Sequence, residues 1–267
     1  MLVDRIFGIL CLMHPVCAVH WLGLVPYAEA WQLQEQLAGE IAAGKKPPTL
    51  LLLEHPHTFT FGRRGRIENL LWDEAELARQ GASVHWVDRG GDVTYHGPGQ
   101  LVGYPLLPLG SANLRIDIKQ DSARLPQADY VGYVRKLETM LIAALARLGV
   151  ASGQVPGLTG VWLQPHVPSN CPNCPTELKR LPAKVAAIGV KVDARGVSRH
   201  GFALNVNPDM SYWEGIIGCG LADYPVASLA DLLHPVPTME QVIQAVLVAF
   251  GEVFEFEMLA EMDRNSV

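Results

Sequence analysis

Short apolar runs that alternate with helical patterns restrict this chain most strongly to one class of fold. Thr49–Leu53 and Leu101–Leu107 are apolar almost throughout, and each run is short enough for a buried strand. In Ala128–Gly149 the apolar residues instead recur at helical spacing, and Gly149 supplies a C-terminal stop. Strands and helices mix along the whole chain without a break in composition. The sequence therefore predicts one α/β domain without internal repeats.

The other predicted elements follow the same two patterns. The last helix is predicted to begin at Thr238, whose hydroxyl can cap it, and Gln241 three residues later completes a capping-box pattern. Further helices are predicted at Ala28–Ala42 and Asp73–Gln80, and further strands at Ser83–Val87, Val185–Val192 and Gly201–Val206.

Composition and charge exclude two classes of protein. Hydrophobic residues make up 49% of the 267 residues and charged residues 18%, so the chain folds around a substantial core and is not disordered. With 21 Lys and Arg against 27 Asp and Glu, the net charge of −6 argues against general nucleic-acid binding. We therefore expect no nucleic-acid partner.

Targeting segments and the number of cysteines indicate in which cellular compartment the protein is expected. No apolar run reaches the ~18 residues that cross a bilayer. The nearest candidate is Ile6–Met13, but Asp4 offsets Arg5 before it, and His14 and Pro15 follow before any good cleavage sequence. The five cysteines, an odd number at uneven spacing, form no disulfide framework and fit a reducing compartment. We expect a cytoplasmic protein without membrane contact.

One stretch, residues 164–182, is unlike its surroundings. It holds five prolines and no apolar period, and it is therefore predicted to be a surface loop. Cys171 and Cys174 in this loop form half of a zinc-site pattern, but a closed site needs four ligands and the chain has no second such pair. We expect no metal site.

Three irregular segments are candidates for chemistry. Arg89–Gln100 has four glycines and a proline in twelve residues, so its backbone N–H groups can approach a small ligand, although glycine-rich turns without a function are also common. The segment matches neither a P-loop nor a dinucleotide fingerprint. The second segment is Lys184–Gly189 and the third is Gly215–Leu221.

The second segment holds a residue that could stabilise a reacting group, and the third holds a residue that could itself react. Lys184 enters an apolar strand, where an ammonium can stabilise a thiolate or a carbonyl oxygen; the alternative is a lysine that points to solvent. Cys219 lies between two glycines and is sterically open; the alternative is a small core residue. A reactive cysteine requires a pKa below the ~8.5 of a free thiol.

Together these segments resemble the lipoyl(octanoyl) transferases, the octanoyltransferases of lipoate biosynthesis. The matching motifs occur in the family's order and span the chain from about Trp21 to Leu233. They are the glycine-rich loop Arg89–Gln100, the strands Lys184–Gly189 and His200–Asn205, Cys219, and an early turn at Phe61–Gly65.

The resemblance implies a fold and a domain organisation. The fold is a mixed β-sheet with packed helices on one side, similar to the catalytic domain of biotin and lipoate protein ligases. Residues 1–18 extend beyond the usual start of the family, and residues 19–267 form a single catalytic domain. Residues 164–182 form a loop longer than the usual turn, and Gly218 stands where Pro or Glu is more usual.

The resemblance also implies a reaction and its residues. An octanoyl group passes from octanoyl-acyl carrier protein to a specific lysine of a lipoyl domain, with Cys219 as the acyl-thioester intermediate and Lys184 lowering its pKa. No cofactor is expected, because the donor itself carries a phosphopantetheine thioester. The residues implied to bind substrate are Arg89, Gly90, Gly91, Asp92, Val93, Thr94, Tyr95, His96, Ala187, Ile188, Gly189, Gly201, Phe202 and Ala203.

The implied partners are octanoyl-acyl carrier protein and the lipoyl domains of 2-oxoacid dehydrogenase complexes and of the glycine cleavage H protein. These partners are expected to be small and acidic, so a chain of negative net charge needs basic residues at its site. We predict that Arg63, Arg64 and Arg66, together with Arg195 and Arg199, lie on the same face as Cys219. The alternative to a docking surface is a basic turn that is only exposed to solvent.

Two other functions remain open from the sequence. An ATP-dependent lipoate or biotin ligase of the same fold would activate the acid as an adenylate and would need no cysteine nucleophile. A catalytically silent member would only bind lipoyl domains or acyl carrier protein. The presence of both Lys184 and Cys219 favours the transferase over these alternatives.

Overall fold

An eight-stranded mixed sheet forms the centre of the fold. A computed structural model describes residues 14–109, 129–163, 182–220 and 224–260. In chain order the described elements are β1 (Val16–Leu24), α1 (Tyr27–Ala42), β2 (Thr49–Glu54), β3 (Thr58–Phe61), α2 (Glu74–Arg79), β4 (Ser83–Trp86), β5 (Val93–His96), β6 (Gln100–Leu106), α3 (Tyr130–Arg147), β7 (Gly153–Val155), β8 (Leu158–Leu163), β9 (Ala183–Val192), β10 (Ser198–Asn205), α4 (Met239–Phe254) and β11 (Glu257–Ala260).

Parallel and antiparallel pairing meet within this sheet. Its strand order is β11-β1-β2-β6-β10-β9-β8-β7. β1 runs parallel to both β2 and β11, whereas every pair from β2 to β7 is antiparallel. The mixed sheet predicted from the resemblance is thus confirmed.

Helices cover both faces of the large sheet. Leu50 and Leu52 of β2 pack in one core with α3 and α4, and Leu51 and Leu53 pack in a second core with α1. All four leucines are at most 1% exposed. Successive side chains of a strand point to opposite faces, so a strand that is apolar at every position needs cover on both. The expectation of helices on one side only is therefore wrong: α1 covers the opposite face.

A second sheet, of three strands in the order β4-β3-β5, stands beside the first. Phe59 and Phe61 of β3 and Tyr95 of β5 point into an aromatic core on one face of this sheet. β5 falls within the segment Arg89–Gln100, which the sequence predicted to be a loop. The strand forms because Val93 and Tyr95 alternate with polar residues and supply one buried apolar face.

Most predicted elements lie where the sequence placed them, within one to three residues at each end. β1 begins at Val16, so the last residues of the predicted extension 1–18 belong to the sheet. Residues 1–13 and all of the predicted loop 164–182 except Pro182 lie outside the described residues. Among the helices of the described ranges, none has the length and apolar character of a membrane span.

The capping box predicted for the last helix is present at the start of α4. Gln241 N–H donates to Thr238 Oγ1 at 3.3 Å, and Thr238 N–H donates to Gln241 Oε1 at 2.8 Å. Replacing Thr238 with Ala removes the cap, and we expect it to lower the free energy of unfolding by ~1 kcal/mol. Thr238→Ser keeps the hydroxyl and serves as the matched control. Denaturant titration of the three proteins tests this, and equal stability of Thr238→Ala and Thr238→Ser would contradict it.

Cys17 of β1 gives a second prediction, because it is 0% exposed and burial raises the pKa of its thiol to about 12. At pH 7 only ~10⁻⁵ of such a thiol is ionised, and the thiolate is the reactive form. In a variant in which Cys11, Cys171, Cys174 and Cys219 are changed to Ser, Cys17 should resist a disulfide reagent in the folded protein and react fully in denaturant. Rapid reaction of the folded variant would show that β1 opens readily.

Candidate active site

A cavity of about 600 Å³ lies where the segment 89–96, β9 and β10 come together. It brings into one place segments that are about a hundred residues apart in the chain. The sequence-predicted residues on its wall are Arg89, Gly90, Gly91, Asp92, Thr94, His96, Lys184, Ala187, Ile188, Gly189, Gly201, Phe202 and Ala203.

Val93 and Tyr95 lie off this wall. Both are 0% exposed and belong to the aromatic core of the small sheet, whereas Thr94 and His96 between and after them face the cavity. The alternation of side chains along β5 sends neighbouring residues to opposite faces. Val93 and Tyr95 thus do not line this cavity, and their role in substrate binding stays a prediction.

The pairing of β9 with β10 explains why the two short motifs meet. Gly189, Ile188 and Ala187 lie directly opposite Gly201, Phe202 and Ala203, so six of the implied residues form one strip of sheet. The glycines are needed for close packing. A Cβ on Gly201 would lie 2.1 Å from the carbonyl oxygen of Gly103, a distance that Cβ atoms do not adopt.

Arg89 fixes the glycine-rich segment by bonding to backbone. It is 7% exposed. Its Nη2 donates to the carbonyl oxygen of Thr60 at 2.6 Å and to Thr60 Oγ1 at 2.9 Å, and its Nη1 donates to the carbonyl oxygen of Gly90 at 2.9 Å. Acceptors at the two terminal nitrogens stabilise a guanidinium that is buried in this way. The side chain thus shapes the cavity wall.

Lys184 is the second residue of β9 and lines the cavity. It is 7% exposed, and its Nζ lies 4.7 Å from the ring centroid of Trp162, a cation–π contact. Its backbone N–H donates to the carbonyl oxygen of Pro225, and its carbonyl oxygen accepts from Ala227 N–H, both at 2.9 Å. The strand that carries Lys184 is therefore joined to the chain shortly after Cys219.

The backbone of Cys219 lies in a short 3₁₀ turn, Gly218–Gly220. Gly220 lines the cavity, so the turn borders the same space as Lys184. Two hydrogen bonds hold the turn: Gly220 N–H donates to the carbonyl oxygen of Ile217 at 3.0 Å, and Ile217 N–H donates to that of Asn69 at 2.9 Å. Lys184 and the backbone turn that contains Cys219 thus border one cavity.

Buried aromatic and histidine rings cluster at one end of the cavity. His96 was predicted from the sequence, whereas Tyr27 and Tyr104 were not. His55 Nδ1 donates to the carbonyl oxygen of Val25 at 2.7 Å, which leaves Nε2 to accept from Tyr104 at 2.7 Å. Burial lowers the pKa of His55 to about 4 and holds the pKa of His96 well below its usual value. Burial also raises the pKa of Tyr27 to about 12. These rings are uncharged at neutral pH.

His200 closes this end and is held by a charged partner. Its Nε2 donates to Asp88 Oδ1 at 2.7 Å, and its Nδ1 lies 3.4 Å from the hydroxyl of Tyr27. Burial lowers the pKa of His200, whereas the hydrogen bond from His200 is the main reason why the pKa of Asp88 lies below its usual range. His200 also has a positive φ of 56°, which is uncommon for a residue other than glycine. The sequence signal for it was its place at the head of the motif His200–Asn205.

Thr94 lines the cavity, and its hydroxyl oxygen is buried. The residue is 6% exposed, and its Oγ1 has no hydrogen-bond partner among the described residues. A buried hydroxyl without a partner is costly.

The predicted basic residues divide into two groups with different surroundings. Arg64 and Arg66 are exposed and line the cavity, and Arg63 beside them is exposed as well. Arg199 is only 4% exposed and is bonded to Asp88 at 2.7 Å and to Glu35 at 2.8 Å. Its predicted place on an exposed docking face is therefore wrong, because its charge is already neutralised inside the fold. Arg195 pairs with Asp193 at 2.6 Å.

In the part of the chain that the structure describes, no group of three or more His, Cys, Asp or Glu side chains could hold a metal ion. Cys171 and Cys174 lie outside that part.

Comparison with known proteins identifies the family. The family model of the lipoyl protein ligase A/B catalytic domain matches residues 26–251. An octanoyltransferase of Chloroflexus aurantiacus is 42% identical over 91% of this chain and 96% of its own length, and one of Solibacter usitatus is 42% identical over 91% and 95%.

Solved structures agree in fold. Lipoate-protein ligase A bound with ATP superposes with a TM-score of 0.58 at 15% identity, covering 94% of this chain and 90% of that one. The bi-partite lipoate protein ligase of Thermoplasma acidophilum superposes with a TM-score of 0.58 at 16% identity, covering 94% and 88%. At such low identity these structures support the fold alone. The match to the family model shows that the chain belongs to the lipoyl protein ligase A/B catalytic-domain family. The relatives at 42% identity show that, within this family, it belongs to the octanoyltransferases.

Proposed function

We propose that the chain transfers an octanoyl group from octanoyl-acyl carrier protein to a specific lysine of lipoyl domains, through a thioester on Cys219. The observation that carries this proposal is the meeting of two segments at one cavity: the turn Gly218–Gly220 and the strand that begins with Lys184. A ligase that activates its acid as an adenylate has no need for a cysteine at this position.

The reaction divides into two displacements at one carbonyl carbon. The Cys219 thiolate attacks the octanoyl thioester, the bond to the phosphopantetheine sulfur breaks, and the carrier leaves as a thiol after it takes up a proton. The amine of the acceptor lysine then attacks the enzyme thioester, the amide forms, and the cysteine thiolate leaves. The proton of the amine is lost in this second step. Lys184 stabilises the thiolate in both steps, and backbone N–H groups of the glycine-rich segments stabilise each oxyanion.

The uncharged end of the cavity suits the hydrocarbon part of the donor. Tyr27, His96, Tyr104 and His200 line this end. Since Tyr104 bonds to His55, His96 to Gln100 and His200 to Asp88, much of their polar capacity is already satisfied within the protein. Burying an alkyl chain yields ~0.8 kcal/mol per CH₂, which favours octanoyl over short acyl groups.

The exposed arginines that line the cavity suit the partners. Acyl carrier protein and the lipoyl domains of 2-oxoacid dehydrogenase complexes and of the glycine cleavage H protein are expected to be acidic. Arg64 and Arg66 supply positive charge on a chain whose net charge is −6. Such complementarity increases the association rate and weakens with salt.

The first test of this function is the mass of the protein after it is mixed with octanoyl-acyl carrier protein in the absence of ATP. The wild type should gain one octanoyl group, and Cys219→Ser should gain none, because the serine hydroxyl is not ionised at neutral pH. The double variant Cys171→Ser/Cys174→Ser is the control and should still gain the group. An ATP requirement for the adduct would indicate the ligase instead, and full lipoyl-domain octanoylation by Cys219→Ser would contradict the thioester.

The second test addresses Lys184 through the pH dependence of alkylation of Cys219 by iodoacetamide. Removing the ammonium in Lys184→Ala should raise the pKa of the thiol, so alkylation should slow at neutral pH and recover as the pH rises. Lys184→Arg keeps the charge but changes its shape and reach, and it should retain part of the rate. Superimposable rate–pH curves for wild type and Lys184→Ala would show that Lys184 does not control the thiol.

A further inference from the structure

Asp92 joins two segments at the edge of the cavity. Its Oδ1 accepts hydrogen bonds from the backbone N–H groups of Val93 at 2.7 Å and Arg66 at 3.2 Å, and its Oδ2 accepts one from Asn69 Nδ2 at 2.5 Å. The carboxylate therefore binds the basic segment 63–69 to the glycine-rich segment 89–93.

Asn69 extends this connection to the residues before Cys219. Its carbonyl oxygen accepts from Ile217 N–H at 2.9 Å, and Leu71 N–H donates to the carbonyl oxygen of Gly215 at 2.8 Å. Leu70 and Ile216 form an antiparallel bridge between these two bonds. The chain that leads into the turn Gly218–Gly220 is thus paired with residues 69–71.

Gly220 brings the residues after Cys219 to the same place. It has a φ of +66°, and a Cβ on it would lie 3.0 Å from Asp92 Oδ2 and 3.7 Å from Asn69 Nδ2. Hence the turn is held before Cys219 by a hydrogen bond to Asn69 and packs after Cys219 against Asp92. The two side chains that do this are hydrogen-bonded to each other.

We propose that Asp92 and Asn69 are positioning residues that fix the Cys219 turn for acyl transfer. This inference rests on the proposed function. The pair acts through the backbone on both sides of the cysteine. A carboxylate near a thiolate is unfavourable by charge alone, but three N–H donors already bind this one and stabilise its charge. A displacement of about 1 Å at a reacting centre can cost ~10²-fold in rate, so a held turn matters to the reaction.

The pair can be tested by exchanging its two members. In Asn69→Asp two carboxylates face each other and the hydrogen bond is lost. In Asn69→Asp/Asp92→Asn the amide of position 92 can donate to the new carboxylate while its oxygen still accepts from Val93 and Arg66. The exchange also restores the net charge of the wild type, so a rescue reports on the hydrogen bond.

The rate constant for acylation of Cys219 by octanoyl-pantetheine, measured against pH, is the readout. This small donor does not need the docking surface. We expect Asn69→Asp to lower the rate roughly 10- to 100-fold, with a loss that persists at high pH, and the double variant to regain most of it. A loss that disappears at high pH would be an effect of charge on the thiol and would overturn the inference. A double variant as slow as Asn69→Asp would overturn it as well.

Two controls separate this outcome from general instability and from failure of the proposed function. Asp209 is also a carboxylate bonded to neighbouring donors, Ser211 N–H at 3.0 Å and Ser211 Oγ at 2.7 Å, but it lies outside the pair. Asp209→Asn should keep the wild-type rate, and an equal loss there would contradict a specific role of the pair. If Asn69→Asp does not fold, Asn69→Ala replaces it, and a wild-type rate in a folded Asn69→Ala would overturn the inference. A wild type that takes no octanoyl group would instead refute the proposed function.

Discussion

The buried guanidinium of Arg89 is the interaction on which the cavity depends. It belongs to the segment between the two sheets and donates to the backbone of β3 in the small sheet, while its aliphatic part lies against Gly189 of the large sheet. Removing a charge from water is costly, and three hydrogen bonds from Nη1 and Nη2 to Thr60 and Gly90 offset this cost. The side chain of Arg89 therefore contacts both sheets at the wall of the cavity.

Glycines make that arrangement possible. A Cβ on Gly62 would lie 2.8 Å from Arg89 Nη1, and one on Gly189 would lie 2.9 Å from Arg89 Cδ. Gly201 lies opposite Gly189, and a Cβ on it would lie 2.1 Å from the carbonyl oxygen of Gly103. Gly62, Gly189 and Gly201 therefore allow the backbone segments and Arg89 to approach one another closely. These contacts form part of the cavity wall.

The cavity wall combines buried neutral rings with exposed cationic side chains. Buried tyrosine and histidine rings close one end, and burial keeps them in their neutral forms near pH 7. Arg64 and Arg66 are exposed and also line the cavity. Lys184 makes a cation–π contact with Trp162. Low dielectric and satisfied hydrogen bonds make the first region suitable for hydrocarbon, whereas exposed cations attract acidic surfaces. One cavity can in this way accept a ligand that is apolar at one end and bound to a protein at the other.

Local patterns in the sequence determined most elements, because helical spacing, apolar runs and the Thr238–Gln241 capping box depend on neighbouring residues alone. Sequence motifs also pointed to Lys184 and Cys219 as the residues to examine. Only the tertiary structure decided that α1 covers the second face of the sheet, that Arg199 is buried beside Asp88, and that Val93 and Tyr95 turn away from the cavity. It also brought Tyr27, Asn69 and His200 to the cavity. These outcomes depend on which face each strand presents and on contacts between residues far apart in the chain, and a local pattern contains neither.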